Sequence, residues 1–400
     1  MKQPKINKTF LIALLGILAA LGPFTIDMYL PGFKNIAEDL LTDEKHVTFT
    51  LTSYFIGIAV GQLVYGPIVD KYGRKKPLIA GLLIYILAAL GCAWSYNIEM
   101  MILMRLLQAL GGCVGMVASN AIISDVYEAD KRAKAFSSIM LVMGVAPLIA
   151  PSIGSIFVES FSWNYIFYFL AVFALMVVML IYFFLPETSQ YIHNHKLKIH
   201  KISRDYWSVL KNKTFLYYTI GGSISMSILF AYVSSAAFVF ITVYGLDKVT
   251  FSTIFAINAS ALILGSYLNG VLTKYVYYIK IANAASVILS LISIVVVTLL
   301  FASERFPYQW AVVGLYLTLF TVGFINPNAT AASLSPFKGN VGVASALSGG
   351  IRMGVGAVVA ATIGVFQTES AATMFITICG LSVLTMLMLY IVKKTSPKHS

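Results

Sequence analysis

Long apolar blocks, each close to one membrane thickness, recur along this chain and are separated by short polar segments. Twelve can be read, at 9–31, 48–69, 77–96, 100–123, 135–158, 163–185, 214–243, 250–273, 281–302, 308–331, 341–366 and 371–392. Each reaches the roughly 20 residues that a helix needs to cross the hydrocarbon core. Barrel strands would instead be about ten residues long and alternate in polarity. The pattern predicts an all-α integral membrane protein with twelve transmembrane helices. The first block is too long for a signal sequence and no small-residue cleavage site follows it, so it is expected to be a true span.

The polar punctuation also divides the chain. Its longest segment, 186–213, is basic, carries His193, His195 and His200, and separates six blocks from six. This predicts an N-terminal six-helix half at 1–185, a cytoplasmic linker at 186–213 and a C-terminal six-helix half at 214–400, around a central cavity. A trace of repetition agrees. After the second block of the first half the chain reads Gly66-Pro-Ile-Val-Asp70-Lys-Tyr-Gly73-Arg74-Lys75-Lys76. The matching place in the second half reads Gly270-Val-Leu-Thr-Lys274, with the leading glycine kept and the acid replaced by lysine.

Only 11% of residues are charged, against about 25% in soluble domains. The net charge of +12 resembles a nucleic-acid footprint until its distribution is followed. Twenty-two of the 28 Lys and Arg fall on the side of the termini, four (Lys34, Lys45, Lys248 and Arg305) fall on the other, and Arg105 and Arg352 lie inside spans. That asymmetry places both termini in the cytoplasm and leaves the bilayer, not nucleic acid, as the partner. All three cysteines, Cys92, Cys113 and Cys379, sit in spans, so no disulfide framework is expected. His193 and His195 have no cysteine or clustered carboxylate nearby, so a solvated linker is expected rather than a metal site. Neither a phosphate-cradling loop nor a cofactor motif is present, which argues against direct ATP use. Clustered catalytic groups and a selectivity filter are also missing, arguing against an enzyme or a channel.

Asp27, Arg105 and Arg352 are the charges that fall where lipid should be. A charge at the bilayer centre costs roughly 2.5–3.5 kcal/mol even on lenient scales, so each is a functional candidate. Asp27 lies about 6 Å from the outer end of the first span and Arg105 about 10 Å deep in the fourth, within one turn of each other. The two are therefore expected to pair across the cavity. Burial favours the neutral form of an acid and a nearby arginine favours the charged form, so an acid between the two can take up and release a proton. The alternative for this pair is a static buried ion pair that fixes helix register. Arg105, Gln108, Gly112, Gly115 and Ser119 recur at helical spacing and give the fourth span a polar, small-residue face.

The spacing Gly66-x-x-x-Asp70-Lys-x-Gly73-Arg74-Lys75 resembles the short loop signature of the major facilitator superfamily. Its parts have physical roles: Gly66 permits close helix approach, Gly73 a tight turn, and Asp70 can pair with Arg74 and face a helix N-terminus. Such a contact would latch the cytoplasmic side. Leu21-Gly-Pro-Phe-Thr-Ile-Asp27-Met-Tyr-Leu-Pro31, Arg105-Leu-Leu-Gln108-Ala-Leu-Gly111 running on to Asp125, and Gly144-Val-Ala-Pro147-Leu-Ile-Ala-Pro151-Ser-Ile-Gly154 resemble the Bcr/CflA drug-efflux family. The second half fits more loosely, through Phe324-Ile-Asn-Pro-Asn328-Ala-Thr.

The resemblance implies a monomeric, proton-driven antiporter in a bacterial inner membrane, exporting small amphipathic molecules by alternating access. It places Asp27 and Arg105 at the coupling site, makes Gly66, Asp70, Gly73, Arg74 and Asp125 a cytoplasmic gate, and makes Gly144, Pro147, Pro151 and Gly154 the antiporter helix. A dedicated metabolite or amino-acid exporter, or a proton symporter of the same fold, is the alternative. Tyr29, Tyr54, Gln108, Met116, Tyr232, Asn326 and Arg352 are candidates to line the substrate cavity, together with Phe238. Two departures matter. Ala19 stands eight residues before Asp27, where some relatives carry a second acid, which favours one proton per cycle. Arg352 stands where a neutral residue is expected, and two arginines with one acid tilt the cavity toward neutral, zwitterionic or anionic substrates.

Overall fold

Helix is the only local structure that satisfies the backbone of these apolar blocks within lipid, and the helix starts are marked in the sequence. Asp43 accepts from the His46 N–H, Asn97 from Met100, Asn212 from Phe215, and Asp247 from Val249 and Thr250, each an N-cap. The computed structural model describes residues 8–127, 129–189, 199–303, 306–337, 341–366 and 371–395. His193, His195 and Arg305 lie outside the described residues.

The chain separates into two compact units, Met1–Ile202 and Ser203–Ser400. Unit 1 contains α1 (Lys8–Asp27), a 3₁₀ turn (Leu30–Gly32), α2 (Phe33–Asp39), α3 (Glu44–Tyr72), α4 (Lys75–Ala93), α5 (Ile98–Val126), α6 (Ala129–Ser160) and α7 (Asn164–Phe184). An amphipathic helix, α8 (Ile199–Leu210), spans the division. Unit 2 contains α9 (Lys213–Ala237), which continues as a π turn (Phe238–Val243), then α10 (Lys248–Leu272), α11 (Tyr278–Ala302), α12 (Tyr308–Leu334), α13 (Val341–Phe366) and α14 (Ala372–Thr395). Among the described residues, eleven helical stretches are long and apolar enough to cross a membrane. The twelfth is α6, 32 residues long, whose described apolar part runs Val145–Ser160.

Within each unit the helices pair by one scheme. In unit 1, α5 packs on α3 and α4, α7 on α4, and α1 on α6, with smaller contacts from α1 to α5 and α7. In unit 2, α12 packs on α10 and α11, α14 on α11, and α9 on α13, α12 and α14. The correspondence holds helix by helix and is far plainer than the loop repeat. One matched detail explains it. A Cβ at Gly57 in α3 would press on the Leu106 carbonyl of α5, and one at Gly265 in α10 would press on the Phe320 carbonyl of α12. Without a hydrophobic driving force between helices in lipid, such backbone-to-backbone approach is what holds them together.

The first α-helix ends earlier than its apolar run. Helix α1 stops at Asp27, and residues 28–39 continue as a 3₁₀ turn and a short helix with Tyr29, Leu30, Phe33 and Ile36 fully or almost fully buried. Asp27 is thus the last residue of a helix, not four residues inside one.

Candidate functional site

Arg105 organises unit 1. It is 0% exposed, and its Nη1 donates to the Thr25 carbonyl (3.1 Å) and to Gln108 Oε1 (2.8 Å). Its Cζ lies 4.4 Å from the ring centroids of both Tyr29 and Tyr54 and 5.9 Å from that of Phe167. The early end of α1 makes this arrangement work, because a helix C-terminus leaves carbonyls without N–H partners and carries a partial negative charge. The surrounding hydroxyls are tied in: Thr25 Oγ1 is 2.6 Å from the Tyr85 hydroxyl, and the Tyr29 hydroxyl is 3.0 Å from Thr50 Oγ1. Arg105 Nε and Nη2 and Gln108 Nε2 are buried with no hydrogen-bond partner.

Asp27 is 5% exposed, and among the described residues it makes no hydrogen bond or ion pair. The expected Asp27–Arg105 pair is therefore not formed in this structure; the guanidinium faces the Thr25 carbonyl and the tyrosine rings instead. Helix α6 approaches the same tail. A Cβ at Gly154 would strike the Met28 carbonyl, and Pro151 O accepts from Ser155 Oγ (3.0 Å). Gly144, Pro147, Pro151 and Gly154 all lie within α6, so the segment bears on the residue next to Asp27.

A second cluster joins the C-terminal ends of α3 and α5, the N-terminal end of α4 and the segment that follows α7. Arg74 Nε donates to Asp125 Oδ2 (2.9 Å), and its Nη1 donates to Asp70 Oδ1 (2.8 Å) and the Val69 carbonyl (2.8 Å). Partial burial works against the Arg74 charge, but the Asp125 and Asp70 carboxylates outweigh it and raise its pKa above the ordinary arginine value. Thr188 Oγ1 donates to Asp125 Oδ2 at 3.2 Å. Glu187 closes the cluster by accepting from the Arg74 N–H (2.8 Å) and the Lys75 N–H (3.1 Å), an anion on the N-terminus of α4. Gly73 has φ +84, a conformation that favours glycine, and a Cβ there would displace the Glu187 carboxylate from its place over the start of α4. Gly66 has open space where a Cβ would sit, so the close helix approach expected there is not present in this structure.

In unit 2, Arg352 Nη2 donates to Thr330 Oγ1 (2.7 Å). Asn326 Nδ2 donates to Met226 Sδ (3.4 Å). Asn328 and Asn269 join α12 to α10 as a buried amide pair, with Asn328 Nδ2 donating to Asn269 Oδ1 at 2.7 Å. Tyr232 stacks on Phe255 and accepts from Asn258 Nδ2 at 3.3 Å. Met116 is 40% exposed and accepts from Gln62 Nε2 at 3.5 Å.

A family model described as Major Facilitator Superfamily matches residues 13–361. The chain belongs to the major facilitator superfamily. A bicyclomycin resistance protein homolog of Haemophilus influenzae is 32% identical over 98% of this chain and 97% of its own. The multidrug resistance protein MdtL of Shigella dysenteriae is 29% identical over 60% of this chain and 61% of its own. The crystal structure of a D-xylose-proton symporter superposes with a TM-score of 0.75 at 14% identity, covering 96% of this chain and 97% of that one. The full-length similarity to the bicyclomycin resistance homolog agrees with the Bcr/CflA resemblance read from the motifs.

Within this superfamily member the structure brings Arg74, Asp70 and Asp125 together, and Arg105 with Gln108, Tyr29 and Tyr54. Asp27 stays apart from Arg105. Sequence reasoning missed Glu187, which sits just past the sixth apolar block and has no motif around it. Its role gives a test: Glu187→Ala leaves two N–H groups at the start of α4 without an acceptor and is expected to cost about 1–2 kcal/mol, the usual value of a lost cap. Thermal unfolding of the detergent-solubilised protein measures this. Glu187→Gln keeps the acceptor oxygen and should recover part of the loss; an unchanged melting temperature for the alanine variant would remove the capping role.

Proposed function

We propose that this transporter exports small amphipathic compounds from the cytoplasm in exchange for protons, by alternating access, as a monomer in a bacterial cytoplasmic membrane with both termini inside. The observation that carries this reading is the isolation of Asp27: a buried carboxyl with no partner among the described residues, two residues from the carbonyl that Arg105 holds. A neutral acid is comfortable there. An ionised one is costly in a low-dielectric site unless a cation turns to it, and Arg105 has two unpaired nitrogens close to the same tail. Proton release and a shift of Arg105 toward Asp27 are thereby coupled. The names of two relatives, bicyclomycin resistance and multidrug resistance, support drug-like cargo.

In this reading Gly66, Asp70, Gly73, Arg74 and Asp125 are the cytoplasmic gate, and residues 1–185 and 214–400 are the two bodies joined by the linker 186–213. Gln108, Met116, Tyr232, Asn326 and Arg352 meet the cargo, while Tyr29 and Tyr54 hold Arg105. One charge moved through 100 mV supplies about 2.3 kcal/mol, enough for on the order of a 40-fold gradient. Expression in a host stripped of its own efflux pumps should raise resistance to a panel of amphipathic drugs, and a protonophore should erase the gain. Resistance that survives the protonophore, or no change across the panel, would count against the proposal.

A further inference from the structure

Unit 2 holds a partly buried cation, and its described helices carry no acid to neutralise it. The described residues of α9–α14 include no Asp or Glu; the acid nearest in sequence to these helices, Asp247, caps α10 from outside its first turn. Arg352 stands eleven residues after the first residue of the 26-residue α13, about 16 Å along the helix and far from both ends. Its one described hydrogen bond is to the Thr330 hydroxyl, and its Nε is buried without a partner.

The turns on either side of this contact carry further polar groups with no work inside the fold. Ser348 lies one turn before Arg352 on the same face, is 3% exposed, and its hydroxyl has no partner. Asn326 lies one turn before Thr330; its carbonyl accepts the Thr330 hydroxyl (2.8 Å), its Nδ2 reaches only the Met226 sulfur, a weak acceptor, and its Oδ1 is unpaired. Native interiors satisfy nearly all such groups, so two spare donors on one face of α13, Arg352 Nε and the Ser348 hydroxyl, mark a place where an acceptor arrives from outside. The planar N–H fork of arginine fits a carboxylate, and the flexible Met226 side chain offers a soft apolar surface for the body of the molecule.

We propose that Arg352, held in place by Thr330 and joined by the Ser348 hydroxyl, binds the carboxylate of an exported molecule, so that carboxylate-bearing anions and zwitterions are preferred over their neutral analogues. This rests on the export function proposed above and names its substrate class. The matched fluorescent pair dansyl-glycine and dansyl-glycinamide tests it, by equilibrium binding to the purified protein in detergent. The wild-type protein should bind the acid at least about tenfold more tightly than the amide. Arg352→Gln should weaken the acid by about 10- to 150-fold and bring the acid-to-amide ratio close to one, the range expected for a lost charge-assisted hydrogen bond. Arg352→Lys should restore part of the ratio, since an ammonium keeps the charge without the fork.

Thr330→Val, which keeps shape and removes the hydroxyl, should lower the ratio less and so covers the case in which Arg352→Gln fails to fold. A wild-type ratio near one, or a ratio that survives Arg352→Gln, overturns the assignment. Export is read separately, as gradient-driven accumulation of the amide in proteoliposomes. Its presence would leave the proposed export standing if the carboxylate preference fails, and its absence would count against export alone.

Discussion

Asp27→Asn is expected to abolish export driven by a proton gradient while substrate binding persists. The amide has nearly the shape of the acid, so the buried tail after α1 keeps its packing, but it cannot ionise. Its isolation makes the substitution clean: among the described residues no hydrogen bond or ion pair is lost. Proteoliposomes with an imposed pH gradient should show accumulation falling to the level of empty vesicles. Substrate counterflow, which needs no net proton movement, should remain in the Asn variant. Gradient-driven accumulation at the wild-type rate would remove Asp27 from the coupling step.

Arg105 should be the least replaceable residue in unit 1. Between Tyr29 and Tyr54 its guanidinium gains cation–π attraction of about 2 kcal/mol or more when desolvated. The bond to the Thr25 carbonyl adds a charge-assisted contact of about 1.5–3 kcal/mol. Arg105→Met fills similar volume without charge, whereas Arg105→Lys keeps charge but cannot lie flat between two rings and still reach both Thr25 and Gln108. Both variants are expected to lose at least about 30-fold in transport rate, corresponding to roughly 2 kcal/mol. Lys should retain more proton dependence than Met. If Met restores both thermal stability and transport, Arg105 is a packing element and its charge plays no part.

The membrane class, the helices and the charged loop signature at 66–75 are legible in the sequence because each is local. A block of apolar residues declares a span, and Gly73 with Arg74 declares a turn followed by a charge. The surroundings of Arg105 were harder to read. Tyr29, Tyr54 and Phe167 come from three separate stretches, and single-helix periodicity cannot tell an aromatic that faces a cavity from one that faces a buried cation. The expected Asp27–Arg105 pair was argued from depth alone. Depth leaves out that α1 ends at Asp27, and a helix end supplies carbonyls that compete with a carboxylate for the guanidinium. Glu187 escaped for a similar reason: its partners, the Arg74 and Lys75 N–H groups, are more than a hundred residues away. The matched pairing of the two units was also faint in the sequence, since only Gly66 and Gly270 suggested it. Small residues at helix contacts, such as Gly57 and Gly265, preserve a packing scheme while the residues around them change freely.

The contact between Arg105 and the end of α1 sets a timetable for biogenesis. Thr25 and Arg105 are 80 residues apart in the chain, and ribosomes add about 5–20 residues per second. Thr25 is therefore made about 4–16 s before its arginine. The main packing partner of α1, α6, begins at Ala129 and is made later still. During that interval the Thr25 carbonyl at the end of α1 has no guanidinium to hold it, so the tail of the first span takes its final packing only after the fourth and fifth spans have followed.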